Sequence, residues 1–468
     1  MTRIKPSEHP FKPENCTNPI SPNVFCADPT SVEFEGRLYV FGTNDHQQYE
    51  AVGDDGRNSY EHIKSLVVFS TEDMVNWEYH GIINTAEIAP WIVNSWAPSV
   101  VSRQEDDGRI HFYLYFSNNG NGVGVITATN PLGPWSNPLG KPLIYQNMSG
   151  LENCPAPFDP GVCIDENGIG WLTFGGGTPA NGAEIYTKVP KIVKLGKDML
   201  SFDSDFISIN APYFYEASEL NCIDGTFFYS YSTDWQSREN WKHTDVSAPS
   251  VCSMGYMTTR TPLDGDSWKF CGGFFLNAGE AGMEWCNNHT HITEYKGKRY
   301  ILHHTMHLQE RMTTNGGFRC ICAEYFPYSE TEFPLTKATR EGVEQTDSFS
   351  PYRIHSGAEM CTCAEIWYEN TSQGKMAVSS LAAGAWTYIK GVCFGNGAKH
   401  LRLTAKGTGK IELRLNDRNA EPIVCIDVSS TDWCLLSAEL TEKLTGNHDL
   451  YFVFSEKNLC LKEWQAEI

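Results

Sequence analysis

Apolar and polar residues alternate with a period of two in five separate segments of the first 345 residues. These segments are rich in aromatic and β-branched side chains, and they are 37–41, 111–116, 171–174, 227–231 and 299–302. A period of two places successive side chains on opposite faces of a strand, so each segment is predicted to be a β-strand. No amphipathic pattern as long as a typical globular helix appears among them. This part of the chain is therefore predicted to be all-β.

Each of the five segments directly follows a dipeptide that is typical of a tight hairpin turn. The dipeptides are Glu35-Gly36, Asp107-Gly108, Asn167-Gly168, Asp224-Gly225 and Lys296-Gly297. Glycine adopts the positive φ that such turns require. The glycines recur at intervals of roughly 60 to 70 residues, which indicates a five-bladed β-propeller in which radial repetition leaves few open edges. An irregular sandwich with evenly spaced turns is the alternative.

A polar side chain stands eight or nine residues before each hairpin glycine. These side chains belong to Asp28, Ser99, Asp159, Glu216 and His289. If the segments that carry them are the inner strands of blades, all five groups converge on one mouth of the central channel. Three of them are carboxylic acids among aromatic residues and prolines, where burial would raise the pKa of at least one. Capping of turns is the alternative role, especially for Asp before Pro.

Two carboxyl groups on opposite sides of a bond are the minimum equipment for glycoside hydrolysis. One protonates the leaving oxygen, while the other activates water or attacks the anomeric carbon. A third carboxylate nearby keeps the pKa of the acid high. Aromatic residues on the flanking loops would offer faces for sugar rings, and they are Trp91, Trp96, Tyr213, Phe214 and Trp235. Calcium binding is a competing use of clustered acids, but the D-x-D-x-D-G loop is absent.

Composition restricts the partners and the compartment. The formal net charge of -21 gives no electrostatic basis for binding nucleic acid or an anionic membrane. The absence of a signal-peptide pattern and the sixteen cysteines predict a cytoplasmic protein with free thiols. The pairs Cys320/Cys322 and Cys361/Cys363 have C-x-C spacing, not the C-x₂-C spacing of zinc sites, so an inert structural role is expected.

Six segments of the chain resemble glycoside hydrolase family 43, and they are 27–29, 94–98, 158–177, 211–218, 287–289 and 302–305. Their order is most similar to that in arabinoxylan arabinofuranohydrolases, from about residue 15 to the C-terminus. The resemblance implies a five-bladed propeller and an inverting, exo-acting hydrolase of furanosyl or xylosyl linkages. By position, Asp28 would be the general base, Glu216 the general acid, and Asp159 the residue that orients this acid and raises its pKa.

The same resemblance implies further roles around the channel. Trp96, Asn288 and His289 would line the subsite for the terminal sugar. His304 would lie beneath the site, where the family often holds calcium or another ion through water, and no organic cofactor is expected. The neighbouring His303 leaves open which imidazole faces the channel, and a histidine packed in the core is the alternative for either.

The pattern of strands along the sequence changes at 346–351. We expect this segment to link a propeller in 1–345 to a second domain in 352–468. Short alternating strands with frequent turns predict a β-sandwich there. Segments 384–395, 447–450 and 463–464 resemble carbohydrate-binding module family 6, a jelly roll. That resemblance implies a structural calcium at Glu359 and Glu463.

The second domain departs from the sugar-binding pattern of that module. Leu461 stands where an Asn usually contacts the ligand. Trp433, with Trp367 or Tyr368, could form a second sugar site, but packing against the propeller is the favoured role.

The predicted function is therefore removal of α-L-arabinofuranosyl groups from arabinoxylan-derived oligosaccharides. A β-xylosidase acting on xylo-oligosaccharides is the alternative within the class, because the two sugars present similar hydroxyl edges. A non-catalytic sugar-binding protein is disfavoured because all three acids are present. A retaining hydrolase of the fructan-cleaving kind would need its two carboxyl groups about 5 Å apart, whereas inversion needs about 6.5–9.5 Å.

Overall fold

Strands make up most of the regular structure in this computed structural model, which describes residues 7, 9–177, 185–371 and 375–468. The helices in these ranges are short, and they are α1 (Asp45–Val52), α2 (Thr85–Ile88) and α3 (His307–Met312), with 3₁₀ turns at Asn119–Asn121 and Ala278–Ala281. None of these helices is long and apolar enough to span a bilayer. All sixteen cysteines lie in the described ranges and are free thiols, as predicted.

Five antiparallel sheets form the blades of a β-propeller, as predicted. Blade 1 has β1 (Ala27–Phe34), β2 (Arg37–Thr43), β3 (Leu66–Thr71) and β4 (Trp77–Ile83). Blade 2 has β5 (Trp96–Gln104), β6 (Ile110–Ser117), β7 (Gly122–Ala128) and β8 (Ile144–Tyr145). Blade 3 has β9 (Gly161–Ile164), β10 (Gly170–Phe174), β11 (Lys191–Lys194) and β12 (Ile207–Ser208). Blade 4 has β13 (Phe214–Ile223), β14 (Thr226–Thr233), β15 (Met254–Thr259) and β16 (Lys269–Phe275), and blade 5 has β17 (Thr290–Tyr295), β18 (Lys298–Thr305) and β19 (Cys320–Tyr325).

Each of the five predicted hairpin turns joins the first and second strands of a blade. In blade 1, Glu35 and Gly36 have φ values of 51° and 78°. Positive φ at both turn residues matches the right-handed twist of the flanking strands. The first strands of successive blades contact one another in a closed ring, β1–β5–β9–β13–β17–β1. The residues at the starts of these strands are thereby gathered around one axis.

The segment before β1 closes this ring. The backbone N–H groups of Ile20 and Cys26 donate to the carbonyls of Ile321 and Arg319, both at 2.9 Å. The N-terminal segment therefore runs beside β19 and joins blade 5 to blade 1. Apolar side chains fill the space between neighbouring blades, such as Phe41 of blade 1 and Leu114 of blade 2, both fully buried. Each such side chain contributes about 1.5–3 kcal/mol through burial.

The second domain is a nearly closed β-sandwich. Its strands are β20 (His355–Ser356), β21 (Glu359–Met360), β22 (Thr362–Ala364), β23 (Ile366–Asn370), β24 (Met376–Ser380), β25 (Ala385–Cys393), β26 (Ala398–Leu415), β27 (Val424–Leu444), β28 (Asn447–Phe454) and β29 (Cys460–Glu467). The order is β22-β25-β28-β26-β29-β24-β23, with β27 beside β26 and β20 beside β29. Strand β21 instead pairs with β4 and extends blade 1.

Side chains and backbone groups tie the two domains together. Trp367 stacks on His46 with ring centroids 5.0 Å apart, and the ring of Tyr368 lies 4.6 Å from that of Tyr79. These contacts favour the packing role expected of this domain over a second sugar site at Trp367 or Tyr368, because both rings face the propeller. The segment expected as a linker is also held on both sides. The N–H of Thr346 donates to a carbonyl of blade 1, and that of Phe349 donates to a carbonyl of the sandwich.

Replacing Tyr368 with Ala should destabilise the protein by about 3 kcal/mol, because a large aromatic side chain leaves a buried interface. The midpoint of thermal unfolding measures this loss. Tyr325→Ala is the matched control, since the Tyr325 side chain is 57% exposed on the propeller. An unchanged midpoint for Tyr368→Ala, combined with weaker binding to insoluble xylan, would instead restore the sugar-site assignment.

Candidate active site

A cavity of about 200 Å³ opens where the first strands converge. The three predicted acids Asp28, Asp159 and Glu216 all line it, together with Trp96 and His289. The remaining lining residues are Tyr60, Ala97, Phe158, Asn287 and Arg319. The fifth position in the predicted register, Ser99, points elsewhere and accepts a hydrogen bond from the N–H of Val162 at 3.0 Å.

Four residues at the entrances to the first strands have a left-handed backbone conformation. They are Asp28 (φ 50°), Ala97 (φ 37°), Asp159 (φ 51°) and Ala217 (φ 60°). A residue other than glycine is strained there by about 1–2 kcal/mol. Register irregularities accompany the strained residues in β1, β5 and β13. Such bulges redirect side chains, and here they bring the acids to the cavity.

The backbone N–H of each strained residue is held by a side chain from the preceding blade. The pairs are Ala97 N–H with Thr43 Oγ1 at 2.7 Å, Asp159 N–H with Ser117 Oγ at 2.8 Å, Ala217 N–H with Asp159 Oδ2 at 2.9 Å, and Asp28 N–H with His304 Nδ1 at 3.2 Å. Because the acceptor always comes from a neighbouring blade, the conformation at the cavity depends on assembly of the ring.

Asp28 is a buried carboxylate with complementary partners. Its Oδ2 accepts a hydrogen bond from the Thr43 hydroxyl at 2.7 Å, and its Oδ1 accepts one from Arg319 Nη1 at 2.9 Å. Burial alone would raise the pKa of Asp28, but the charge of Arg319, followed by His304, reverses this and holds the pKa well below its usual range. Asp28 is therefore ionised at neutral pH, as a general base must be.

Arg319 is a residue of the site that sequence reasoning missed. It is 3% exposed, and its Nε and Nη2 donate to the two carboxylate oxygens of Asp45, each at 2.9 Å. The guanidinium carbon also lies 5.0 Å from the ring centroid of Tyr60. Because Nε and Nη2 of the planar guanidinium are bound to Asp45, the remaining nitrogen, Nη1, is directed at Asp28. The signal in the sequence that could have identified Arg319 is its position as the one charged residue in the otherwise apolar run 318–323.

The pKa of Glu216 is shifted in the opposite direction from that of Asp28. Burial raises the pKa of its carboxyl to about 7, Asp28 adds to the rise, and a 3.3 Å hydrogen bond from Asn287 Nδ2 to Oε1 opposes it. Burial, then Glu216 and Asp28, also raise the pKa of Asp159. Because the two raised carboxyls are coupled, the pair retains a proton near neutrality. A proton donor and an ionised base therefore line one cavity.

The structure distinguishes the two neighbouring histidines. His304 contacts the N–H of Asp28 through Nδ1 and the carbonyl of Asn287 through Nε2 at 2.8 Å. His303 instead lies inside blade 5, where its Nε2 is 3.4 Å from Glu324. His304 is the imidazole beneath the site.

Asn288 is not among the residues that line the cavity, although it was expected in the subsite for the terminal sugar. Its Nδ2 donates to the carbonyl of Cys252 at 2.6 Å. The preceding residue, Asn287, contacts Glu216 in its place. A one-residue shift separates the two amides, and adjacent positions in an irregular loop cannot be ranked from their sequence.

The calcium expectations do not fit the residues present. Both nitrogens of His304 already contact protein groups, so neither is left to hold an ion through water. Glu359 is bound by Arg37 at 3.1 Å and by His355 at 2.8 Å, which places basic side chains where a cation would lie. Glu463 contacts Lys375 at 3.2 Å. We therefore assign no chemistry to calcium here.

The last predicted site residue is Trp433, on β27. The ammonium of Lys406 lies 4.7 Å from its ring centroid, so the ring face is already partly covered by a cation. With Trp367 and Tyr368 packed on the propeller, Trp433 has neither of its expected partners for a sugar platform. Leu461, which stands where an Asn usually contacts the ligand in this kind of module, is buried in the sandwich.

Comparison with known families shows which family the chain belongs to. Residues 16–333 match the family described as glycosyl hydrolases family 43, and residues 357–466 match the carbohydrate binding module (family 6). The chain therefore belongs to glycosyl hydrolase family 43 and is a glycoside hydrolase, as its motifs predicted.

Relatives extend this similarity over both domains. The chain is 30% identical to an arabinoxylan arabinofuranohydrolase from Bacillus subtilis, over 94% of its own length and 89% of that protein. It is also 30% identical to an arabinoxylan arabinofuranohydrolase from Paenibacillus polymyxa, over 96% of its length and 74% of that protein. A crystal structure of the family 43 arabinoxylan arabinofuranohydrolase from Bacillus subtilis, in complex with cellotetraose, aligns with a TM-score of 0.90 at 28% identity, covering 98% and 99% of the two chains.

Replacing Asn287 with Ala should move the alkaline limb of the pH–rate profile upward by about half to one unit. The Asn287 hydrogen bond favours the Glu216 anion, so its loss raises the pKa of Glu216 from about 7. A general acid with a higher pKa stays protonated to higher pH. The measurement is kcat/KM against pH, with the exposed Asn419→Ala as the matched control. A shift to lower pH would contradict the role of this hydrogen bond.

Proposed function

We propose that this protein is an inverting, exo-acting α-L-arabinofuranosidase that removes arabinofuranosyl groups from arabinoxylan-derived oligosaccharides. One observation carries the proposal. A carboxylate of lowered pKa, Asp28, and a carboxyl group with a pKa of about 7, Glu216, line the same cavity. Two carboxyl groups whose pKa values are moved in opposite directions are the signature of an acid and a base. Relatives that are 30% identical over both domains support the arabinofuranosyl specificity.

Each of the three acids has a separate role in the proposed reaction. Asp28 accepts a proton from water while the water oxygen attacks the anomeric carbon. Glu216 gives its proton to the glycosidic oxygen as that bond breaks, so the leaving sugar departs as an alcohol. Asp159 lies beside the acid and holds the strand that carries it, through the N–H of Ala217. Inversion requires the two reacting carboxyls to stand about 6.5–9.5 Å apart, with room for that water.

The size of the cavity favours an exo-acting enzyme. A volume of about 200 Å³ is sufficient for about one sugar ring. The indole N–H of Trp96 donates to the carbonyl of Tyr60 at 3.2 Å, which fixes the ring at the wall of the cavity. A terminal arabinofuranosyl group would contact this wall and the base.

A pair of exposed tryptophans favours the arabinofuranosidase over the β-xylosidase. Trp235 and Trp285 are 51% and 45% exposed, and their ring centroids are 5.9 Å apart. Trp285 is two residues from Asn287, which lines the cavity. Large exposed aromatic side chains side by side mark a binding surface. A xylan backbone lying across this surface would direct a side-chain sugar into the cavity, whereas a xylosidase takes the chain end itself.

The decisive experiment compares arabinose-substituted xylo-oligosaccharides with unsubstituted ones. Release of arabinose from the former and little xylose from the latter is expected, and proton NMR should show β-arabinofuranose as the first product because the α linkage is inverted. Trp235→Ala should lower kcat/KM on the oligosaccharide and leave the rate on 4-nitrophenyl α-L-arabinofuranoside unchanged. Xylose as the main product would establish the β-xylosidase alternative, and α-arabinofuranose first would establish retention.

Asp28→Asn and Glu216→Gln should each lower turnover on oligosaccharides by about a hundred- to ten-thousand-fold, since each removes a proton-transfer group. The loss for Glu216→Gln should be much smaller on 4-nitrophenyl α-L-arabinofuranoside, whose leaving group needs little protonation. Steady-state kinetics on both substrates measure the difference, with circular dichroism to verify the fold. Equal losses on the two substrates would remove Glu216 as the acid.

A further inference from the structure

Three potential metal ligands meet in the propeller core, away from the cavity. His307 begins α3, while Cys320 and Cys322 lie two residues apart on β19 and therefore point to the same face. The sulfur atoms of Cys320 and Cys322 are each 4.0 Å from His307 Nδ1. All three ligand atoms lie within 4.8 Å of one another.

The Thr305 hydroxyl supplies a fourth corner. Its Oγ1 is 2.7 Å from His307 Nδ1, 3.4 Å from the Cys320 sulfur and 3.6 Å from the Cys322 sulfur. Zinc–sulfur bonds of about 2.3 Å and zinc–nitrogen or zinc–oxygen bonds of about 2.0 Å place two tetrahedral sulfur ligands about 3.8 Å apart, a sulfur and a nitrogen about 3.5 Å apart, and a nitrogen and an oxygen about 3.3 Å apart. On zinc binding, the 4.0 Å distances from His307 Nδ1 to the two sulfur atoms would shorten by about half an ångström. The 2.7 Å contact between His307 Nδ1 and Thr305 Oγ1 would lengthen by a similar amount if the hydroxyl is the fourth ligand.

The surroundings of the cluster select a soft cation. The four side chains are buried, and apolar residues surround the two thiols, namely Phe25, Tyr49, Leu308, Met312 and Phe318. Two sulfur ligands and one imidazole suit zinc and disfavour hard cations such as calcium and magnesium. The C-x-C spacing alone did not predict this site, because the third ligand comes from another element.

We propose that His307, Cys320 and Cys322 bind one structural Zn²⁺, with the Thr305 hydroxyl or a water at the fourth position. Binding releases the two thiol protons to solvent. The ion would join α3 to the start of β19. That junction is adjacent to Arg319, the residue that contacts Asp28. Zinc at this site would therefore stabilise the segment that positions the proposed base.

The test uses the full-length chain, stripped of metal with a chelator and titrated with Co²⁺, a spectroscopic substitute for zinc. A thiolate-to-cobalt charge-transfer band should saturate at one equivalent, and Zn²⁺ should abolish it. Cys320→Ser and Cys322→Ser should each lose at least half of the band's intensity, because each removes one of the two thiolate ligands. Cys363→Ser is the matched control, because Cys363 belongs to the other buried C-x-C pair, and this variant should keep the band. Zinc should also raise the midpoint of thermal unfolding of the wild type by about 5 °C.

Any one of the following outcomes would overturn the zinc proposal. A wild-type chain that shows no saturable band, or a band that both serine variants retain at full intensity, would exclude the site. A band with monovalent copper and none with Co²⁺ would exclude zinc as its ion. X-ray absorption of the zinc-loaded wild type decides the matter even if the serine variants fail to fold. Two sulfur neighbours with nitrogen and oxygen are expected, and any other sulfur count would contradict the assignment.

Discussion

The buried ion pair between Asp28 and Arg319 is the interaction on which this structure most depends. A buried carboxylate is tolerated only when charge and hydrogen bonds compensate for lost hydration. Arg319 provides that compensation, and Asp45 in turn holds Arg319 by a two-pronged contact. Asp28 and Asp45 belong to blade 1, whereas Arg319 immediately precedes the last described strand of blade 5. The contact that ionises the proposed base therefore also joins blade 5 to blade 1.

The same cavity keeps a second carboxyl group in the opposite protonation state. No guanidinium of the described residues forms a hydrogen bond with Glu216, and burial raises the pKa of its carboxyl to about 7. Arg319 lowers the pKa of both acids, but it forms a hydrogen bond only to Asp28 among them. Burial of both acids together with a cation bonded to only one of them shifts their pKa values in opposite directions and so divides the roles of acid and base. The third acid, Asp159, binds the backbone beside Glu216 and links the electrostatics of the site to its geometry.

Backbone strain at the cavity is offset by contacts between blades. The left-handed residues at the strand entrances would be unfavourable in isolated hairpins, and hydrogen bonds from the preceding blade hold them. The sandwich contributes at the outer edge, where β21 covers β4. An exposed edge strand would otherwise offer unpaired backbone groups to other chains. The second domain thus completes the propeller structurally, and its rings Trp367 and Tyr368 belong to that contact.

The sequence by itself determined the five hairpins, the all-β architecture and the three acids, because turn chemistry and strand alternation depend on neighbouring residues. Counting back from hairpin glycines located Asp28, Asp159 and Glu216, since the strand length between turn and channel is nearly constant. Only the tertiary structure decided the role of Arg319, because its partner Asp28 lies 291 positions away. It also decided between Asn287 and Asn288. Closure of the ring sets these pairings, and no local pattern encodes which blades meet.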